Sequence, residues 1–265
     1  MTVVLAVDLD QTLIFSRRSA EPLEGAETVW VEDYLDAPLS LMTVVAHRLL
    51  AALQERHQVV PVTTRTPAQF ARVRLPHPAA WAIVSNGGVL LRDGVRDAGW
   101  DTLIAEDLAA VAPAAEAYAL LAGSADQGWV RTCRQVEELF AYLVAEHRDL
   151  IPDEWLLRIT AWATTHGWTV SVQGRKVYLV PVPLSKGRAA SRVAEQLDGV
   201  LLAAGDSLLD RDLLEAAVFA IRPAHGELHR LGYLRAQVTS RSGACAAEDV
   251  LKALADQADL LRPHG

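Results

Sequence analysis

Cysteine is scarce in this 265-residue chain: only Cys133 and Cys245 occur, far apart and without metal-ligand spacing. That excludes a disulfide framework and makes a reducing compartment the default. Basic charge is short as well. Lys and Arg number 25 against 33 Asp and Glu, a formal net charge of −8, which argues against a nucleic-acid partner because a polyanion calls for a basic face. No uninterrupted apolar stretch reaches membrane-spanning length, and no basic leader precedes an apolar segment. A cytoplasmic protein without a membrane partner is therefore expected.

What the chain does have is apolar residues, 51% of the total, enough for one large α/β domain and a smaller one. They gather in short runs that stop at polar residues. The first, Val3-Val-Leu-Ala-Val7, ends at Asp8-Leu9-Asp10-Gln11-Thr12. In an extended segment residues i and i+2 point the same way, so Asp8 and Asp10 can face one ligand while Leu9 turns into the fold. A second run, Val59-Val-Pro-Val62, ends at Thr63-Thr64-Arg65-Thr66; a third, Val200-Leu-Leu-Ala-Ala204, ends at Gly205-Asp206-Ser207-Leu-Leu-Asp210. Continuous runs of this kind read as buried parallel strands, and ligands of open α/β sheets collect beyond their carboxyl ends. Ser185-Lys186-Gly187 opens a helix expected from about Arg188 to Leu197. Ser185 can cap it, while Lys186 is a cation at the positive end of a helix dipole and so calls for a functional reason.

Asp8-x-Asp10-x-Thr12, Thr63, Lys186 and Gly205-Asp206-x3-Asp210 together, in this order and at strand ends or a helix start, resemble the four motifs of the haloacid dehalogenase-like hydrolase superfamily. The resemblance covers roughly the first ninety and last eighty residues. It implies a Rossmann-like, doubly wound parallel sheet and phosphoryl-transfer chemistry. In that chemistry Asp8 attacks phosphorus to form an aspartyl-phosphate, and Asp10 protonates the leaving alcohol, then activates water. Thr63 donates to the transferring phosphoryl group, and Lys186 neutralises charge on it and on Asp8. Mg²⁺ suits such hard oxygen ligands. The resemblance implies contacts to it from the Asp8 carboxylate, the Asp10 backbone carbonyl and Asp206, with Asp210 behind them. Thr64 and Arg65 are expected to bind substrate. Asn86-Gly87-Gly88 looks like the Ser-Asn-Gly segment of sugar-phosphatase relatives, which places Asn86 near the substrate entrance. The sequence departs from the family pattern at Gln11 and Thr64, where glycine is frequent, and at Gly205–Asp210, which lacks an Asn-Asp pair.

Apolar spacing from Leu41 to His57 predicts a crossover helix, Trp81–Ser85 a further strand, Val218–Ile221 another, and Ala246–Leu261 an outer amphipathic helix. Between about Val89 and Pro183 the character changes: five of the seven tryptophans fall there. Helical patterns are read at Val136–His147 and Glu154–His166, followed by a hairpin of Thr169–Val172 and Lys176–Val180 around Gln173-Gly174. The expected organisation is a core of residues 1–88 and 184–265 with an inserted α+β cap, 89–183. One cap of this size resembles the sucrose-phosphate, mannosyl-3-phosphoglycerate and Cof-type phosphatase branches. Such a cap excludes stray water and selects the leaving group. Arg175 and Lys176 at the hairpin tip read as a solvated turn or as contacts to a second anionic group, and His225-x3-His229 as a surface pair or, by its helical spacing, a metal-like one.

The function expected is therefore a Mg²⁺-dependent phosphomonoesterase acting on a small phosphorylated metabolite, with a sugar or polyol phosphate favoured. A phosphomutase using the same aspartyl-phosphate is the enzymatic alternative. A binding or regulatory protein without turnover is the alternative from another class.

Overall fold

The computed structural model describes residues 2–261. Its strands, in chain order, are β1 (Thr2–Asp8), β2 (Thr28–Tyr34), β3 (Ala37–Thr43), β4 (Gln58–Val62), β5 (Trp81–Val84), β6 (Val89–Arg92), β7 (Val95–Arg96), β8 (Val130–Val136), β9 (Phe140–Ala145), β10 (Trp168–Gln173), β11 (Lys176–Pro181), β12 (Gly199–Ala204), β13 (Phe219–Arg222) and β14 (Gln237–Val238). Its helices are α1 (Val44–Arg56), α2 (Pro67–Phe70), α3 (Ala98–Leu108), α4 (Ala114–Ala122), α5 (Asp153–Thr165), α6 (Lys186–Gln196), α7 (Arg211–Ala216), α8 (Gly226–Arg230) and α9 (Cys245–Leu260). These elements form two compact units. One takes the chain through Asp97 and again from Ser185; the other is Ala98–Leu184.

The first unit is built on an eight-stranded sheet in the order β14-β13-β12-β1-β4-β5-β6-β7. Pairing is parallel from β14 to β5 and antiparallel from β5 to β7. β1 sits centrally and is buried on both faces, which is why it reads as one apolar run and not as an alternation. Val3, Leu5 and Val7 join Leu50, Leu53, Val250, Leu251 and Leu254 in a core against α1 and α9. Each such side chain contributes about 1.5–3 kcal/mol by leaving water. On the opposite face α6 and α7 pack together through the buried Ala189, Ala190, Val193 and Leu213. Val7 pairs beside Ala204 and Asp8 beside Val62. The three strand ends therefore coincide, and the chains leaving them carry Asp8, Thr63 and Asp206 into one region.

The crossover helix forms as α1, but it starts at Val44, because Leu41–Thr43 belong to β3. Thr43 closes the strand and caps the helix, accepting from Ala46 N at 3.0 Å and donating to Glu248 Oε1 at 2.8 Å. The β2–β3 hairpin was not foreseen. Its turn residues Leu35 and Asp36 take φ of 50° and 58° without a glycine or asparagine to announce them. After β5 the chain turns back antiparallel, so residues 89–97 run with the core sheet.

The second unit is a four-stranded antiparallel sheet, β10-β11-β9-β8, with α4 and α5 against it. The predicted hairpin appears as β10 and β11, and the predicted helix at Glu154–His166 as α5. The helix expected at Val136–His147 is a correction: that segment is the end of β8, a turn and β9. Phe140, Tyr142 and Val144 favour a pleated surface, and the reversal is made by Glu137 and Glu138 at φ 46° and 60°, residues that do not announce a turn. Trp155 anchors α5 by donating to Ser124 Oγ at 2.7 Å and packing edge-on against Trp129. At the hairpin tip, Arg175 donates to Glu146 O at 3.4 Å and Lys176 lies over the rings of Tyr142 and Tyr178.

Candidate active site

Two charge networks meet at the carboxyl ends of β1, β4 and β12, both within the first unit. The inner one is fully buried. Ser185 caps α6 as expected, accepting from Arg188 N at 2.9 Å, and this fixes Lys186 at the first helical position with 1% of its surface exposed. Its Nζ donates to Asp8 Oδ1 at 2.7 Å and to Asp210 Oδ1 at 2.5 Å. The other Asp210 oxygen accepts from Asp206 N at 3.2 Å, Ser207 N at 2.9 Å and Ser207 Oγ at 2.7 Å. Asp210 thus folds the Gly205–Asp210 loop around itself, in a segment that lacks the Asn-Asp pair of many relatives.

Asp8, Asp206 and Asp210 each bring a carboxylate oxygen within 4.8 Å of the others. Burial, then repulsion from Asp210, pushes the Asp8 carboxyl up to about 8, although Lys186 opposes the shift. Burial and repulsion from Asp8 hold the Asp206 carboxyl well above its ordinary range. Burial alone would lower the Lys186 ammonium, but Asp210 and Asp8 outweigh it and keep it protonated. One buried cation faces three carboxylates. The donor set is hard, anionic and convergent, which fits a divalent cation of the Mg²⁺ type and not a soft metal. Thr12 points the same way: its hydroxyl is buried and has no hydrogen-bond partner in the structure.

The outer network centres on Arg65, which follows β4. Its Nε and Nη2 donate to the two oxygens of Asp10 at 2.8 and 2.9 Å, and its Nη1 lies 2.7 Å from Glu32 Oε2 on β2. Arg65 was expected at the substrate, yet these guanidinium nitrogens are directed at protein carboxylates. Thr63 is buried, and its Oγ1 accepts from Arg65 N at 3.1 Å, which leaves its proton to donate. Thr64 is half-buried between them. Ser85 and Asn86 stand at φ 50° and 58°, held by Ser85 N to Arg65 O at 2.7 Å and Asn86 N to Thr63 O at 2.9 Å. Asn86 therefore shares the turn that holds Thr63. A side chain at Gly87 would collide with the Ser185 carbonyl just before Lys186, so the Gly is what lets the two loops touch.

Gln11 takes φ 64°, the conformation that glycine adopts without strain, so the departure from the family pattern preserves the turn. His225 helps to hold it. Its Nδ1 accepts from Gly243 N at 3.2 Å, so its Nε2 carries the proton and donates to Gln11 O at 2.7 Å. Burial lowers its pKa. Of the two sequence readings of His225, surface residue or metal-like pair member, the structure shows a half-buried ring covered by a loop far along the chain. Glu32, Ser207 and Glu227, which accepts from Leu208 N at 2.9 Å, also escaped sequence reasoning. Glu32 and Glu227 lie in no strand-end motif, and Ser207 is one of the unspecified positions between Asp206 and Asp210.

No family model matches the sequence, and no curated protein matches it. Solved structures do. The sucrose-phosphatase of Synechocystis sp., solved with sucrose and phosphate, is similar at a TM-score of 0.62 and 16% identity over 97% of this chain and 98% of that one. A haloacid dehalogenase-like hydrolase from Bacteroides thetaiotaomicron gives 0.59 and 12% over 97% and 100%. The chain thus has the haloacid dehalogenase-like fold. Within that fold, the C-terminal domain of C. albicans trehalose-6-phosphate phosphatase gives 0.63 and 13% over 96% and 92%, so sugar-phosphate phosphatases share the architecture across both units. No helix among the described residues is long and apolar enough to cross a membrane.

Proposed function

We propose that the protein is a Mg²⁺-dependent phosphomonoesterase that hydrolyses a small phosphorylated metabolite, a sugar or polyol phosphate, through an aspartyl-phosphate on Asp8. The observation that carries this reading is Asp8 itself: a buried carboxylate at a strand end, bonded to Lys186 and crowded by Asp206 and Asp210. A structural ion pair needs one carboxylate per ammonium; a phosphoryl-transfer site needs more.

Asp8, Asp206 and the Asp10 backbone carbonyl would hold the cation, with Asp210 orienting the loop behind them. Bound there, Mg²⁺ supplies positive charge that keeps Asp8 ionised and offsets the phosphoryl oxygens. In the first step an Asp8 oxygen bonds to phosphorus, the bond from phosphorus to the leaving oxygen breaks, and Asp10 gives that oxygen its proton. In the second step water attacks phosphorus, Asp10 takes a proton from it, and the bond to Asp8 breaks, releasing inorganic phosphate. Lys186 and the Thr63 hydroxyl serve the oxygens that gain charge. Thr64 and Asn86, on the loops after β4 and β5, are assigned to substrate. The second unit is assigned the choice of leaving group. A cytoplasmic location without nucleic-acid or membrane partners accords with the net charge of −8.

The test is inorganic phosphate release from a panel of sugar, polyol, nucleotide and glycerate phosphates, with Mg²⁺ and with chelator, for wild type and Asp8→Asn. Release that requires metal and disappears in the variant is expected. Near-normal release by a folded Asp8→Asn protein would sink the mechanism, and transfer to a second hydroxyl without free phosphate would make the protein a mutase.

A further inference from the structure

Asp10 is the most exposed aspartate of the site, with 45% of its side chain open to solvent. Arg65 donates to both of its oxygens, at 2.8 and 2.9 Å. What holds Arg65 is Glu32. This carboxylate has no exposed surface, and each of its oxygens is engaged. Oε2 lies 2.7 Å from Arg65 Nη1 and accepts from Ser40 Oγ at 2.7 Å; Oε1 accepts from Arg72 Nε at 3.3 Å. Ser40 Oγ is also 3.4 Å from Arg65 Nη2. The hairpin that carries Glu32 and Ser40 is tied back to the chain after β1 by Phe15 and Leu41, which exchange backbone hydrogen bonds of 2.9 and 2.8 Å. Two guanidinium groups, Arg65 and Arg72, thus face Asp10 and Glu32.

We infer that Glu32 is a positioning residue: through Arg65 it fixes the direction of the Asp10 carboxyl, and with it the transfer of the proton to the leaving oxygen. The inference rests on the phosphatase reading above and goes beyond it, because the β2–β3 hairpin becomes part of the acid–base machinery. Position matters for a poor leaving group, which must receive a proton as its bond to phosphorus breaks. It matters little for a good one, which departs as an anion.

The experiment compares kcat/KM, which reports steps through formation of the aspartyl-phosphate, for p-nitrophenyl phosphate and for glucose 6-phosphate or β-glycerol phosphate, whichever alkyl ester wild type cleaves faster. Glu32→Gln is expected to lower kcat/KM on the alkyl ester about 10- to 100-fold while p-nitrophenyl phosphate stays within about threefold, as for a misplaced general acid. Arg65→Lys, which keeps the charge but loses the fork, should behave alike. Equal loss on both esters, or no loss on either, overturns the inference. If Glu32→Gln does not fold, Ser40→Ala removes one hydrogen bond from the same carboxylate and carries the comparison, with a smaller loss of the same selectivity expected. Failure of wild type to cleave any of these esters would instead count against the phosphatase reading, and the inference would fall with it.

Discussion

In the absence of divalent cations the protein should lose stability as pH rises from 6.5 to 8. The cause is Asp8, whose carboxyl is pushed up to about 8 by burial and by Asp210, against about 3.9 in an unfolded chain. Within this window the folded protein retains a proton that the unfolded chain has already released. Fewer protons are bound by the unfolded state, so the unfolding free energy falls with rising pH, by at most about 1.4 kcal/mol per unit for one group. Over pH 6.5 to 8, with Asp8 half-titrated at the upper end, the effect is about 1.6 kcal/mol from this group. Asp8 is 4% exposed, so solvent screening does not erode it. Asp206 is shifted in the same direction and adds to the slope. His225 opposes it, because burial lowers its pKa, but that contribution is complete above about 6.5, the ordinary histidine value. Lys186 is shifted upward and stays charged throughout, contributing no slope here. Urea denaturation in chelator at pH 6.5, 7, 7.5 and 8, for wild type and Asp8→Asn, measures this directly. A decline of about 2 kcal/mol that is reduced in Asp8→Asn is expected, and Mg²⁺ at about 100 times its Kd should restore about 2.7 kcal/mol at pH 8. Flat or rising stability for wild type in chelator would refute the electrostatic account of the site.

Lys186→Met should cost about 3–5 kcal/mol, because it leaves buried carboxylates without their cation, and should abolish turnover; a melt and a phosphate-release assay check both. Gly226 sits at φ 86°, where a Cβ would strike the Asp206 carboxylate and backbone. Gly226→Ala is therefore expected to destabilise by more than about 1 kcal/mol and to raise the Mg²⁺ concentration needed for activity, measured by metal titration. Trp155→Phe removes the donor to Ser124 Oγ and should cost about 1–3 kcal/mol through the unpartnered hydroxyl, read by urea denaturation.

The central sheet was legible because its strands are buried on both faces. Val3–Val7 and Val200–Ala204 have no alternation to confuse, and each is punctuated by the polar residues that carry the chemistry. α6 was legible because Ser185 is a capping residue and Lys186 an anomaly at a helix start. The hairpins β2–β3 and β8–β9 were not, for one shared reason. Leu35-Asp36 and Glu137-Glu138 occupy the left-handed region, where sequence reasoning looks for Gly or Asn; tertiary packing imposes those turns. Partners distant in sequence were equally hidden. Arg65 looks like a substrate cation until Glu32, 33 positions earlier, is seen beside it, and His225 looks exposed until Gln11 and Gly243 close around it.

The two networks also explain why the resemblance points to a metal enzyme. Around Arg65 the charges balance: Arg65 and Arg72 meet Asp10 and Glu32. Around Lys186 they do not, since Asp8, Asp206 and Asp210 share a single ammonium. Burial and mutual repulsion keep protons on Asp8 and Asp206, so an ionised Asp8 together with a phosphate dianion would put negative charge in excess there, at a cost that one lysine, spent on two carboxylates, does not offset. The Arg65 guanidinium is directed at Asp10 and Glu32 and not at this inner group. On the proposed reading a divalent cation lets the inner site receive a phosphate, so phosphate binding and Mg²⁺ binding should be coupled. Titration calorimetry with inorganic phosphate should show binding that strengthens with Mg²⁺ and fades in chelator, and equal affinity in both conditions would break the link between the charge imbalance and the proposed chemistry.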